Sequence, residues 1–179
     1  DAGRAEVTAR LSVGPGARMD WLPQETILFD RAALSRRLTC DLASDATVLI
    51  GEAVIFGRRA MGEAVRTGLF RDRWEVRRDG RPILVDALRI EGDIAATLAD
   101  PQAFAGAGAM ASLALIGPAA GAHLAPLRAA LPATAGASLI REDVLFARIL
   151  AGDGYDLRQY LIPALTRLSG RALPRVWRL

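Results

Sequence analysis

The chain has 179 residues, 51% of them apolar, which fits one domain with a sizeable core and argues against wholesale disorder. All 23 basic residues are arginine and face 20 acids, for a net charge of +3; with abundant Ala and Gly and neither lysine nor asparagine, this balance reflects a GC-rich genome better than a nucleic-acid partner. The single cysteine, Cys40, and the single histidine, His123, exclude an intrachain disulfide and a zinc site built on Cys and His.

The first hundred residues predict short strands. Residues 5–13, AEVTARLSV, alternate, and GPG then marks a turn. The run ARMDWLPQETILF follows, split by Pro23 into two strands or a kinked edge. RRLTCDLA and ATVLIGEAVIF come next, separated by Ser44-Asp45. RWEVRRDGRPILVDALRI predicts a hairpin about Asp79-Gly80, with Trp74, Val76, Ile83, Val85 and Leu88 as its apolar positions.

Beyond residue 100 the pattern changes. Residues 101–127 carry no formal charge, but Pro101, Pro118, Pro126 and many glycines predict a buried strand and loops, not a membrane-spanning helix. ASLALIG reads as a strand, and GAHLAPLRAAL as a short helix with Pro126 in its first turn. GASLI and DVLFARILAG read as strands joined at RED. YDLRQYLIPALTRLSG predicts a helix with Leu157, Leu161, Leu165 and Leu168 on one face and Gly170 near its end. The expectation is mainly β with α: one domain over 1–179, with a β-rich body over 1–100 and a strand-helix-strand-strand-helix tail over 101–179.

Chemical templates mostly fail. A Ser-His-Asp triad needs a histidine base, and His123 sits in an apolar, Ala-rich helix start. Cys40, between strand residues Thr39 and Asp41, reads as a buried structural cysteine. Gly57 and Gly62 have phosphate-loop spacing, but Glu63 and Ala64 replace the required Lys and Ser/Thr, and an acid there repels phosphate. Gly106 and Gly108 precede a strand instead of opening a helix, so no dinucleotide fingerprint is present. Arg66, Arg71, Arg73, Arg77, Arg78 and Arg81 interleave with Asp72, Glu75 and Asp79, which predicts a solvated, salt-bridged outer face. The functional alternatives for that face are a surface for an acidic partner and, behind it, an RNA-binding module. Glu25, Glu52 and Glu63 remain as weak ligands for a hard or borderline ion, or as arginine partners. With no base–nucleophile pair, the residues favour a non-catalytic binding or scaffold domain.

Three segments carry a resemblance. WLPQETILFDRA (21–32), FGRRAMGE (56–63) and RWEVRRDGRPILVDALRI (73–90), in that order, resemble the urease accessory protein UreD family, also called UreH, and LRQYLIPALTRLSGRALPRVW resembles its tail. The likeness runs over nearly the whole chain and is weakest over 101–121. The family's glycine-rich N-terminal motif is absent, and Asp1 falls midway through the family pattern, which predicts that an N-terminal part is missing.

The resemblance implies a β-helix-like, many-stranded body with two helices near the C-terminus, and a cytoplasmic, non-enzymatic role. It implies binding to a UreF-type accessory protein, recruitment of the UreG-type GTPase onto apo-urease, and transient handling of nickel, with the GTP belonging to the partner. It implies neither a nucleic-acid nor a membrane partner. Glu63, Glu52 and Glu25 are then expected as transient nickel ligands along a polar passage. For Glu63, pairing with Arg58 or Arg59 to pin the turn stays open. Among the other matched residues, Trp21 and Leu22 are expected in the core, Pro23 at a strand end, and Gln24 on turn backbone groups. Gly57 and Gly62 are expected at positive φ or in close packing, and Trp177 either anchors the tail or meets a partner.

Overall fold

The computed structural model of the protein describes residues 3–58 and 61–178. The strands are β1 (Ala5–Val13), β2 (Arg18–Trp21), β3 (Thr26–Leu28), β4 (Ala33–Leu42), β5 (Thr47–Phe56), β6 (Thr67–Arg78), β7 (Arg81–Asp93), β8 (Ala109–Ile116), β9 (Ala135–Arg141) and β10 (Val144–Ala151). The helices are α1 (Ile94–Ala99), α2 (Leu124–Ala130) and α3 (Gly154–Ser169). Sheet A runs β1-β4-β6-β7; sheet B runs β2-β5-β8-β10-β9, with β3 also paired to β5.

The fold is mainly β with three helices, in two open mixed sheets. The expected β-helix-like body is corrected in this respect. Through β6 the chain does alternate between the sheets, with parallel pairs β1–β4, β4–β6, β2–β5 and β3–β5. The Asp79-Gly80 turn then doubles β7 back antiparallel on β6, and β8 enters antiparallel to β5. Asp79 and Gly80 have φ of 48° and 76°, the positive pair that a tight two-residue hairpin turn requires. Because β8 pairs with β5, residues before and after 100 share one sheet.

Three layers follow from which face of each strand is apolar. Sheet A packs on one face of sheet B through two clusters, one containing Leu38, Ile50, Trp74 and Ala114 and the other Val54, Phe56, Phe70 and Ile90. The other face of sheet B, with Leu49, Leu113 and Leu145, meets the helices. The leucine spacing of α3 is realised: Leu157, Leu161, Leu165 and Leu168 are all buried there. Asp153 caps its N-terminus through the Asp156 amide at 2.9 Å, and Gly170 ends it at φ 65°. Gly51 lets sheet and helix approach closely; a Cβ there would lie 2.8 Å from Leu165 Cδ2.

Three sequence expectations change. Helix α1 was missed; Asp93 caps it by accepting from the Ala96 amide at 2.8 Å. A bulge beside Val76 shifts the parity of the hairpin, so Leu84 turns inward and Val85 outward. Asp72, expected on the outer face among arginines, points inward and is buried. The uncharged 101–127 stretch holds the fully buried β8, and no helix among the described residues is long and apolar enough to cross a membrane.

Leu161→Ala should leave a cavity beneath α3 and lower stability by about 2–5 kcal/mol. Urea unfolding of the two proteins checks this, with an unchanged midpoint as the contrary result.

Candidate functional site

The two clusters between the sheets do not touch along one line. On β4, Arg36 lies between Leu34 and Leu38; on β6, Asp72 lies between Phe70 and Trp74; on β7, Asp86 lies between Leu84 and Leu88. In sheet B the corresponding places are Glu52 between Ile50 and Val54, Ser112 between Met110 and Ala114, and Arg148 between Phe146 and Leu150. On six strands, the inward position that separates one apolar cluster from the other is therefore polar. Glu52, Ser112 and Arg148 are register partners across sheet B, as are Arg36 and Asp72 in sheet A. The result is a charged layer crossing the space between the sheets.

Its centre is Arg36. One Nη lies 2.5 Å from Asp72 Oδ2 and 3.6 Å from Glu52 Oε2, and the other donates to Thr26 Oγ1 at 3.0 Å. Glu52 also accepts two indole N–H bonds, from Trp21 at 3.0 Å and Trp74 at 3.1 Å. The side chains of Arg36, Asp72 and Glu52 are each about nine-tenths buried, at 10%, 9% and 9% exposure. At the other end Arg148 donates to Asp86 at 2.7 Å and lies 3.4 Å from Ser112 Oγ, and both charged residues there are partly exposed. Three carboxylates thus share two guanidiniums. Asp72 Oδ1 and Arg36 Nε are buried without a hydrogen-bond partner among the described residues. Burial raises the Asp72 carboxyl above its ordinary range, and Arg36 only partly offsets this.

Of the three carboxylates expected as metal ligands, only Glu52, held by Trp21, lies in this layer. Glu25 is elsewhere: it binds Arg158 of α3 at 2.6 and 3.1 Å. Glu63 pairs with Arg58 at 2.9 Å across the FGRRAMGE turn; Arg59, the other expected partner, lies outside the described residues. Gly57 and Gly62 both have φ of 74°, and at Gly57 a Cβ would also sit 2.9 Å from the Glu63 carbonyl oxygen. The three expected carboxylates are not brought together. Among the described residues no group of three or more His, Cys, Asp or Glu could hold a metal ion.

The remaining matched residues are structural. Pro23 separates β2 from β3. Gln24 donates to the Val176 carbonyl at 3.0 Å, on the C-terminal tail and not on a turn. Trp177 is a buried tail anchor: its indole donates to the Leu22 carbonyl at 3.1 Å, and Arg158 covers its ring. Cys40 is buried, and burial with help from Asp41 pushes its thiol up to about 11, so it is no thiolate at neutral pH. His123 sits just before α2 and makes no side-chain cap hydrogen bond to it.

Sequence reasoning missed Arg36, Asp86, Ser112 and Arg148, and placed Asp72 on the wrong face. The signal was present as a polar residue flanked at two positions on either side by apolar ones, repeated on successive strands.

The sequence pattern of the UreD urease accessory protein family matches residues 1–178. The urease accessory protein UreD of Rhizobium leguminosarum bv. viciae is 49% identical over 179 residues, covering 99% of this chain and 66% of that protein. UreD of Rhizobium etli is 50% identical over 179 residues, with the same coverages, and UreD of Ruegeria pomeroyi is 51% identical over 172 residues, covering 96% and 67%. The chain therefore spans about two thirds of the length of these relatives.

Replacing Arg36 with methionine would leave Asp72 and Glu52 buried without their shared counter-charge. Arg36→Met should lower stability by about 3–5 kcal/mol near neutral pH. The folded state holds a proton on Asp72 between its ordinary pKa and the raised one, so stability attributable to this group grows as pH falls through that window. Removing the guanidinium extends the window upward, so the deficit should shrink on going from about pH 7 to about pH 5. Urea midpoints at both values test it; a deficit that is constant or widens on acidification would count against the assignment.

Proposed function

The chain belongs to the UreD urease accessory protein family, and we propose that it is a non-catalytic factor in urease maturation. In this reading it acts in the cytoplasm with a UreF-type accessory protein. Through that complex a UreG-type GTPase meets apo-urease, and nickel passes to the enzyme. The observation that carries the reading is the family match along residues 1–178. Partner binding is supported by an exposed apolar surface beside the FGRRAMGE turn. Ile27, Met61 and Tyr155 are 41%, 74% and 73% exposed there, around a cavity of about 290 Å³.

The charged layer supports the nickel part. It offers carboxylate oxygens and no imidazole or thiolate, a donor set that holds a borderline dication weakly and releases it. Glu52 is the foremost transient ligand, Asp72 and Asp86 extend the path across the sheets, and Glu63 and Glu25 serve outside it. Arg36 stands between Glu52 and Asp72, so the ion reaches them as the guanidinium shifts.

The test uses cells in which this gene is the sole source of a UreD and nickel is limiting. Glu52→Ala should cut nickel-dependent urease activation several-fold while pull-down of the UreF-type protein persists. Glu63→Ala and Glu25→Ala should give smaller losses. Full activation with all three changes would sink the passage role, and failure of the unaltered chain to capture the UreF-type protein would sink the maturation reading.

A further inference from the structure

The outer face of sheet A is the one large sheet surface that neither the other sheet nor a helix covers among the described residues. Its side chains are those opposite in parity to the buried Leu38, Cys40, Trp74 and Val76. Register pairs Thr8 with Arg37 and Arg37 with Arg73, and Glu6 with Ser35 and Ser35 with Arg71, so two rows of polar residues cross β1, β4 and β6. Between these rows lies a cavity of about 370 Å³, whose lining includes Arg4, Glu6, Thr8, Ser35, Arg37, Arg71 and Arg73.

The carboxylates on this face do not neutralise it. Glu6 is taken by Arg4 at 2.8 Å. Glu75 is held by Arg77 at 2.5 Å and lies 3.6 Å from Arg73. Glu91 is bound by Arg89 and lies 3.7 Å from Arg71. Among the described residues the Arg37 guanidinium has no ion pair and no side-chain hydrogen bond. Arg37 and Arg73 therefore stand side by side, one unpaired and one weakly paired, above two hydroxyls. This arrangement suits planar oxyanions, which guanidinium forks bind in bidentate fashion.

We propose that this cleft docks an acidic polypeptide segment of a protein partner, with its Asp or Glu side chains on Arg37 and Arg73. Two features favour a polypeptide over a nucleic acid. Glu6, Glu75 and Glu91 interleave with the arginines and repel a continuous phosphate backbone, and the exposed aromatic rings Phe29, Tyr155 and Tyr160 lie on other elements, leaving no stacking platform here. The inference does not rest on the urease assignment.

Fluorescein-labelled octaglutamate, titrated with the protein at low salt and followed by anisotropy, tests it, with labelled octauridylate as the competing probe. Octaglutamate should bind, and Arg37→Glu with Arg73→Glu should raise its Kd by about tenfold or more. The control, Arg141→Glu with Arg171→Glu, makes the same change of net charge at exposed sites off this sheet and should leave the Kd within about twofold. Arg37→Gln, which cannot clash or bury a charge, should give an intermediate loss. No octaglutamate binding, equal losses in both double variants, or tighter binding of octauridylate would each overturn the proposal.

Discussion

A guanidinium held between two buried carboxylates is the constraint around which the rest of this fold is arranged. Arg36 cannot lie between the sheets unless Asp72 and Glu52 flank it, and Glu52 in turn fixes the indoles of Trp21 and Trp74. These contacts join β2, β4, β5 and β6, so one ion cluster ties strands of both sheets together. Its cost is visible in the raised Asp72 carboxyl and in the unpartnered Asp72 Oδ1 and Arg36 Nε. Buried ion clusters of this kind are often no more stabilising than apolar side chains of equal volume. The layer's stability contribution therefore does not by itself account for it.

The family-matched segments serve this interior from outside. WLPQE brings Trp21 to Glu52, then carries Glu25 to Arg158 and Gln24 to the tail carbonyl of Val176. Trp177 closes the same corner through Leu22 and stacks against Arg158. FGRRAMGE leaves β5 through the positive φ of Gly57 and is pinned by Arg58 on Glu63. The carboxylates that stand out in sequence therefore do three different jobs. Glu52 is interior, Glu25 fastens a helix to a strand end, and Glu63 shapes a turn beside an exposed apolar surface.

Most strands were legible, because alternation and turn residues are local signals: Gly14 to Gly16 and Asp79-Gly80 mark their turns, and Gly170 marks the end of α3. Strand neighbours were not legible. Alternation tells which side chains share a face but not which strand lies alongside, so the parallel pairings and the two-sheet division emerged only in three dimensions. The charged layer was hidden for a related reason. In RDRWEVRR both parities carry polar residues, so Asp72 read as one more outer-face acid, though Trp74 and Val76 share its parity and are buried. The bulge beside Val76 further disguised the inward parity of Asp86 by shifting β7 one residue against β6. Helix α1 is six residues long, too short for periodicity to reveal, and only its Asp93 cap announced it.

The proposed nickel passage requires the charged layer to be kept for function and not for stability. Its most direct test replaces the centre with near-isosteric groups, Arg36→Met, Glu52→Gln and Asp72→Leu together; the Glu52→Gln change keeps one side-chain oxygen as acceptor for an indole donor. Thermal unfolding is measured on the purified variant, and nickel-dependent urease activation in cells that have no other UreD. The expected result is a variant that still folds cooperatively, with a melting temperature within several degrees of that of the unaltered chain because one indole donor loses its acceptor, and with activation lost. A variant that no longer folds, or one that folds and activates urease fully, would contradict it.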